Sequence, residues 1–541
     1  MAGEFNRTKL MWASFLTLIA SGFGFATRTA AGGIWEREFG IDGSGFGQIL
    51  GAGFLGFGIM IFVGGILVEK FGYKLLLGVA FALHLVSAIM LFGASPVFAA
   101  AKDTDVEAAT ASVFQLLWLS AFLFSIAQGL YEAVINPVIA QIYPDNKTHY
   151  LNILHAGWPG GMILGGLFAA AFIGNDAWFF PISWSVALSS FAIFVIAYGV
   201  LAFPEKFPKP VGQSGSGSFA NTFSCFISIP FLVLIILHGC VGYMELGVDS
   251  WMTKLMENLL PNAILILVYT SLLMFVLRFF AGPIVHKINP IGLLLASSVV
   301  ACLGLLWLGS DIQSIAVIFV AATFYSFGKA FLWPTMLGVA GERYPQSGSV
   351  AMGALGAAGM LTVGLIAGPR IGTQQAYAMS EDLKTNNQAT FERYKVEGED
   401  AESTDWGMTF TRINPVKMNA ANGVVLNEET GAVEDDSSIK NADSTLLSDE
   451  EKTALLENIA EDAPVIQSAN LNAGRQALTW TAYVPFIMGV GFLGLLLYYR
   501  SIGGYKALTV SESGELVPMD SDHGSHEGSS DDAGGASSDE A

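Results

Sequence analysis

The chain has 541 residues, 52% hydrophobic and 13% charged, with a formal net charge of −20. At roughly 150 residues per soluble domain this length suggests three or four domains. A charged fraction near half of the roughly 25% usual in soluble chains leaves too little polar surface to cover them in water. The acidity is local: 371–478 holds 20 acids and 8 bases and 501–541 holds 9 and 1, so these segments carry −12 and −8 and the rest of the chain is neutral. A neutral, apolar body without a basic footprint excludes a nucleic-acid binder.

In chain order, runs of about 20 mostly apolar residues, the length that crosses a bilayer as a helix, recur at 10–31, 46–68, 73–95, 112–138, 151–174, 179–202, 222–247, 262–285, 290–310, 313–338, 347–369 and 479–500. The first follows Arg7 and Lys9 in the manner of a signal peptide, but the runs that follow predict a retained helix. Between the sixth and seventh, 203–221 carries Pro204, Pro208, Pro210 and a Gly/Ser stretch from Gly212 to Ser218, the composition of a flexible linker. With the N-terminus inside, the short inside segments hold eleven basic residues, Lys70, Lys74, Arg343 and Arg500 among them, against Arg37, Lys102 and Lys254 outside. That bias puts both termini in the cytoplasm.

The expected fold is all-α and integral to a membrane: twelve transmembrane helices in two six-helix bundles. The first bundle covers 1–202, a cytoplasmic linker 203–221, and the second bundle 222–370 with 479–500. An acidic extracytoplasmic insert over 371–478 separates the last two helices, and an acidic cytoplasmic tail over 501–541 is expected to be disordered. Within the insert, Ser448 and Glu451 have capping-box spacing ahead of a helix to Ala460. Cys225, Cys240 and Cys302 fall inside apolar runs and read as core residues. Two halves of six helices place a solute path between them near the bilayer midplane. The partners expected are a small-molecule solute, protons and the lipid bilayer, with the protein a monomer in a bacterial inner membrane.

The loop after the second run reads Gly65-Ile-Leu-Val-Glu69-Lys70-Phe-Gly72-Tyr-Lys74. It resembles the major facilitator signature Gly-x-x-x-Asp-Arg/Lys-x-Gly-Arg-Arg/Lys, with Glu for Asp and Tyr for the first Arg. Glycines let helices approach, and a carboxylate at a helix end complements the positive N-terminus of a neighbour. The resemblance implies a conformational latch on the cytoplasmic side. Gly282-Pro283-Ile-Val-His286-Lys287 reads as a degraded second copy. Glu132-Ala-Val-Ile-Asn136-Pro137, Leu151-Asn152 and Glu342-Arg343-Tyr-Pro345 are similar to the fucose/glucose/galactose proton-symporter branch, which adds Glu342 and Arg343 to the latch.

Charges inside the bilayer cost roughly 2.5–3.5 kcal/mol each even on the lenient scale, so those that persist mark function or pairing. The runs keep Arg28, Glu132, Arg278 and Lys329, with Glu245 and Asp249 towards the outer end of the seventh. Glu132 and Asn136 share a helical face, and Pro137 can break the helix and release a carbonyl. The resemblance implies proton coupling through Glu132; the alternative is a permanent ion pair with Arg28 or Lys329. The symporter branch has an acid in its first span where this chain has Arg28, which suits an anionic solute. Glu245 and Asp249 read equally as a gate or as an outer-interface pair beside Trp251. His155, Trp158 and Trp333 complete the candidate substrate path, whereas His84 and His238 read as satisfied packing residues. Gly161, Gly165 and Gly166, and Gly353, Gly356 and Gly359, have the spacing that brings helices close.

No nucleophile–base set or metal-ligand cluster stands out, so no catalysis, metal or cofactor is expected. The expected function is a secondary active transporter that moves a small polar solute, a sugar or sugar derivative, by alternating access coupled to protons; the alternatives are a transporter of another organic anion and a transporter-fold sensor that signals through the insert.

Overall fold

The computed structural model describes residues 5–39, 41, 43–173, 177–211, 219–256, 264–312, 314–398, 401–427, 430–442, 447–511 and 515–519. The Gly212–Ser218 stretch and the tail histidines His523 and His526 lie outside them. Among the described residues eleven helices are long and apolar enough to cross a membrane, and a shorter one, Leu265–Arg278, stands where the eighth span is expected. The belt they form is apolar on its outside: Ile89, Ile193, Val200, Ile236, Leu365 and Phe486 are each more than 60% exposed, which suits lipid rather than water. This is an integral membrane protein.

Of the twelve spans expected, the eighth is the one described by a shorter helix. Its helix ends at Arg278, and the next, Ala281–Leu308, takes up the remaining residues before a kink at Asn289 (φ 56°, ψ 167°). Pro290 is the cause, because its ring pushes the preceding residue out of the α region. A correction concerns Pro137: the helix Val106–Ile142 runs through it unbroken. Buried packing along that helix holds the conformation, so the missing amide frees one carbonyl without ending the helix.

Small residues set the helix approaches. Arg7–Thr29 crosses Gly157–Phe172 so closely that a β-carbon at Gly22 would stand 2.2 Å from the Trp158 carbonyl oxygen, and one at Gly161 2.4 Å from that of Ile19. Gly43–Phe71 packs in the same way on Gly348–Thr362, where a β-carbon at Gly65 would lie 2.6 Å from the Ser349 oxygen. The second crossing joins the two halves.

Two helices contain π-helical turns, Tyr243–Gly247 and Val363–Ala367, and the turns lie against each other. Such turns are frequent at functional sites. Beyond the second, the helix continues as Gly368–Asn386, a 39-residue rod from Gly348, and a 33-residue helix Asp449–Thr481 leads back into Tyr483–Ser501.

The residues between them, over the range expected to be an insert, carry their own apolar cluster, with Leu383, Tyr394, Ala421, Ile439, Ala463 and Ile466 almost wholly buried. The capping box is present: Ser448 Oγ accepts from Glu451 N at 3.3 Å and Ser448 N donates to Glu451 Oε2 at 3.0 Å. The helix it starts is far longer than the expected stop at Ala460. Arg475 Nη1 pairs with Asp311 at 2.6 Å, tying this region to the second half.

Part of the tail is ordered too. Leu508–Val510 pairs antiparallel with Leu516–Pro518, within the tail over 501–541 that is expected to be disordered. Neither strand contains a charged residue.

Candidate functional site

Helix interruptions supply the centre. The expected fifth span divides into Lys147–His155 and Gly157–Phe172, and the tenth into Ile315–Lys329 and Leu332–Arg343. Breaks of this kind leave carbonyls without intrahelical donors, and Arg278 reaches one from each half. Its Nη1 donates to the His155 carbonyl at 2.5 Å and its Nε to that of Ala330 at 2.7 Å, while Nη2 donates to Glu245 Oε1 at 2.7 Å. Arg278 is 2% exposed and Glu245 3%. The π turn carries Glu245 at this depth, so both Glu245 and its neighbour Asp249 are interior rather than at an outer interface.

Asp249 holds the second pair. Lys329 Nζ donates to its two carboxylate oxygens at 2.5 and 2.6 Å, and Lys329 is wholly buried. Lys329 lines neither of the two central chambers, and Trp333 faces one of them. Glu132 pairs with neither Arg28 nor Lys329. Asn136 Nδ2 donates to Glu132 Oε2 at 3.3 Å, and Asn136 Oδ1 lies 2.9 Å from His155 Nε2. Arg28 donates to the Gly24 carbonyl at 3.1 Å and to Ser87 Oγ at 3.2 Å, with its guanidinium 3.8 Å from the Phe124 ring centroid. No ion pair is formed by Arg28 among the described residues.

Two chambers adjoin here. One, of about 30 Å³, is lined by Phe57, Glu132, His155, Trp158, Glu245, Leu246, Arg278, Trp333 and Met360. The other, of about 40 Å³, takes in Arg28, Gln128 and Phe25 and shares Phe57, Trp158 and Met360 with the first. Volumes of this size hold a few waters each, so the halves are closed around the centre. Three buried polar atoms of the lining have no hydrogen-bond partner among the described residues: Trp158 Nε1, Gln128 Nε2 and Glu245 Oε2. Gln128 is absent from the sequence reading, although its four-residue spacing from Glu132 places it on the same stripe.

His84 and His238 are not the satisfied packing residues expected. His84 Nδ1 lies 3.3 Å from Tyr198 Oη, but its Nε2 and both ring nitrogens of His238 lack partners among the described residues. His238 instead packs on Trp333, ring centroids 4.5 Å apart.

The sequence model of the Major Facilitator Superfamily matches residues 13–369, two thirds of the chain. The chain belongs to this superfamily. Among solved structures it is similar to a proton:xylose symporter, XylE, bound to 6-bromo-6-deoxy-D-glucose, with 15% identity, TM-score 0.56, and 66% of this chain and 87% of that one covered. It is similar also to a bacterial homolog of the human lysosomal transporter Spinster in an inward-facing, unoccupied conformation, with 13% identity, TM-score 0.55, and 90% and 96% covered. The fucose:proton symporter FucP of E. coli aligns at 18% identity and TM-score 0.49 over 66% and 91%. A comparison with curated protein sequences gives no match. At these identities the likeness shows the facilitator fold.

The facilitator signature loop lies at the other end of the bundle from the 371–478 region. Glu69, 2% exposed, accepts from Ser349 N at 3.3 Å in the first turn of Gly348–Thr362, a helix of the opposite half. Gly72 (φ 85°) starts the next helix and Gly348 (φ 45°) the facing one, both in the left-handed region. Of the remaining loop residues, Lys74 Nζ donates to the Glu205 carbonyl at 3.2 Å, and Lys70 Nζ stands 5.5 Å from the Phe71 ring centroid. Among the described residues neither lysine bridges the halves.

Two further contacts cross between halves at this face. Thr148 Oγ1 donates to Glu342 Oε1 at 2.6 Å, and Lys147 Nζ donates to the Gly341 carbonyl at 3.0 Å. The degraded second copy contributes as well, with Gly282 N donating to His149 Nδ1 at 3.0 Å. Arg343 faces the tail instead, donating to the Lys506 carbonyl at 2.6 Å.

Proposed function

We propose that this facilitator is a secondary active transporter that moves a small polar solute, a sugar or sugar derivative, by alternating access coupled to protons. The observation that carries this reading is the convergence of Trp158 Nε1, Gln128 Nε2 and Glu245 Oε2 on two adjoining chambers at the junction of the halves. A buried polar group without a partner costs about 1–3 kcal/mol. Two N–H donors and a carboxylate oxygen match the hydroxyls of a sugar, and the Trp158 and Trp333 rings give its apolar faces a surface.

Glu132 is the group assigned to the proton. Glu245 and Asp249 are each held by a buried cation, whereas Glu132 faces the chamber with an amide as its hydrogen-bond partner. A protonated Glu132 can cross the cycle without an exposed charge, and a carboxylate can accept the next proton when the chamber opens. Arg278, bonded to a carbonyl of each half and to Glu245, is the group whose contacts must change as the halves part. The Glu69, Thr148–Glu342 and Lys147 contacts hold one face closed meanwhile.

The test is uptake into proteoliposomes across neutral sugars and sugar acids under an imposed pH gradient. Accumulation that collapses with a protonophore supports the reading; the absence of gradient-driven uptake across the panel refutes the coupling. Arg28 favours a second reading, an organic-anion substrate, since its guanidinium lines a chamber without an ion-pair partner among the described residues. Preference for sugar acids over the parent sugars, lost in Arg28→Gln, would select it.

A further inference from the structure

Outside the central chambers, a cavity of about 540 Å³ lies where the acidic region between the last two membrane helices meets the seventh. Its walls come from four separate stretches of chain. Trp251 stands on the helix Val248–Leu255, two residues beyond the ion-paired Asp249; Thr373 and Gln375 belong to Gly368–Asn386; Ser403 and Phe410 come from the hairpin Glu402–Asp405/Met408–Thr411. Asn470 adds a fourth contribution, from Asp449–Thr481.

The lining is polar and aromatic in a defined way. Gln375 Nε2 donates to Asn470 Oδ1 at 3.0 Å, and both residues are more than nine-tenths buried. The hydrogen bond holds the two amides against each other. The Trp251 indole lies against the backbone at Gly372, where a β-carbon would stand 3.0 Å from the ring, so a larger residue there would require the ring to give by a few tenths of an ångström. One acid, Asp405, and one base, Arg412, complete the lining, and Ser403 Oγ donates to Asp405 at 2.5 Å. The cavity is therefore neutral, inside a region whose net charge of −12 repels anions.

We propose that this cavity is a second, outer solute site that binds a neutral sugar and feeds the central path. The proposal rests on the transport reading above and adds to it a substrate class and an entry point. Size, two aromatic walls and fixed amides suit a pyranose: rings pack on its C–H faces and amides and hydroxyls hold its hydroxyl groups. Placement supports the feeding role, since Trp251 and Asp249 share one short helix, and Asp249 holds Lys329 beside the centre.

The test is titration of the purified full-length chain in nanodiscs with D-glucose, D-galactose, L-fucose and D-xylose, and with gluconate as the charged comparison. Ala376 lines the cavity from an exposed helix position, so Ala376→Trp fills it without disturbing the core. The expected result is binding of at least one neutral sugar, weakened tenfold or more by Ala376→Trp and by Trp251→Ala, and within threefold of the unaltered chain in Trp251→Phe, which keeps an aromatic wall. In liposomes Ala376→Trp should raise the KM for uptake and leave the maximal rate unchanged.

No binding of any neutral sugar, or tighter binding of gluconate, overturns the proposal. If the unaltered chain accumulates none of the panel under a pH gradient, the transport reading fails. If it does accumulate a sugar and Ala376→Trp alters neither affinity nor KM, the outer site alone fails.

Discussion

Replacing Glu69 by Gln tests how the signature-loop face is held shut. Glu69 is buried beneath the first turn of Gly348–Thr362 and accepts from Ser349 N at 3.3 Å. Gln retains an acceptor at that position, so the loss is the attraction between a negative charge and the helix N-terminus. Such attractions are worth about 0.3–1 kcal/mol at exposed ends and up to about 2 kcal/mol in partly buried ones. The amide also avoids the desolvation cost of a buried carboxylate, which offsets part of the loss. A net of about 1 kcal/mol is left, equivalent to a roughly fivefold shift towards the state open at this face. Met352 lies buried under it and lines the groove between the halves, so Met352→Cys reports opening once Cys225, Cys240 and Cys302 are changed to Ser. The rate of maleimide labelling should rise about fivefold in Glu69→Gln. An unchanged or slower rate refutes the assignment of Glu69 as a latch.

Three further outcomes are expected. Glu132→Gln should abolish accumulation driven by a pH gradient while sparing exchange of labelled for unlabelled solute, as measured in the same liposomes. Arg278→Met should lower stability by about 3–5 kcal/mol by stranding the Glu245 charge, and Arg278→Met with Glu245→Leu should recover most of it; thermal unfolding in detergent of the single and double variants decides this. Ser448→Ala should cost the Asp449–Thr481 helix about 0.5–2 kcal/mol by loss of its cap, visible as faster amide hydrogen exchange over its first turns and not in the membrane helices.

The membrane body was legible because burying 20 apolar residues leaves a mark in any window of that length, and the signature loop because glycines and a carboxylate recur at fixed spacing. What the sequence concealed has specific causes. The Arg278–Glu245 pair joins residues 33 apart, and it depends on a π turn that no local pattern announces. Gln128 is neutral, so a search for costly charges passes over it. The outer limits of the last two membrane helices were missed because Gly368–Asn386 and Asp449–Thr481 continue the same helical path with polar, amphipathic residues, where hydropathy falls but the backbone does not turn. Lys329 and Asp249, both seen as charged residues near the path, became a pair only when the tenth and seventh helices were set side by side.

The long helices have a mechanical consequence. Gly348–Asn386 spans about 57 Å at 1.5 Å per residue, and Arg475 fastens the companion helix to Asp311, so the region beyond the membrane is carried stiffly on the second half. A tilt of that half too slight to measure easily at its pivot is magnified along such a beam, and a rotation of about 10° sweeps its far end through roughly 10 Å. On the alternating-access proposal, the acidic region would act as the pointer of a balance, converting small rocking within the bilayer into a displacement readable in water.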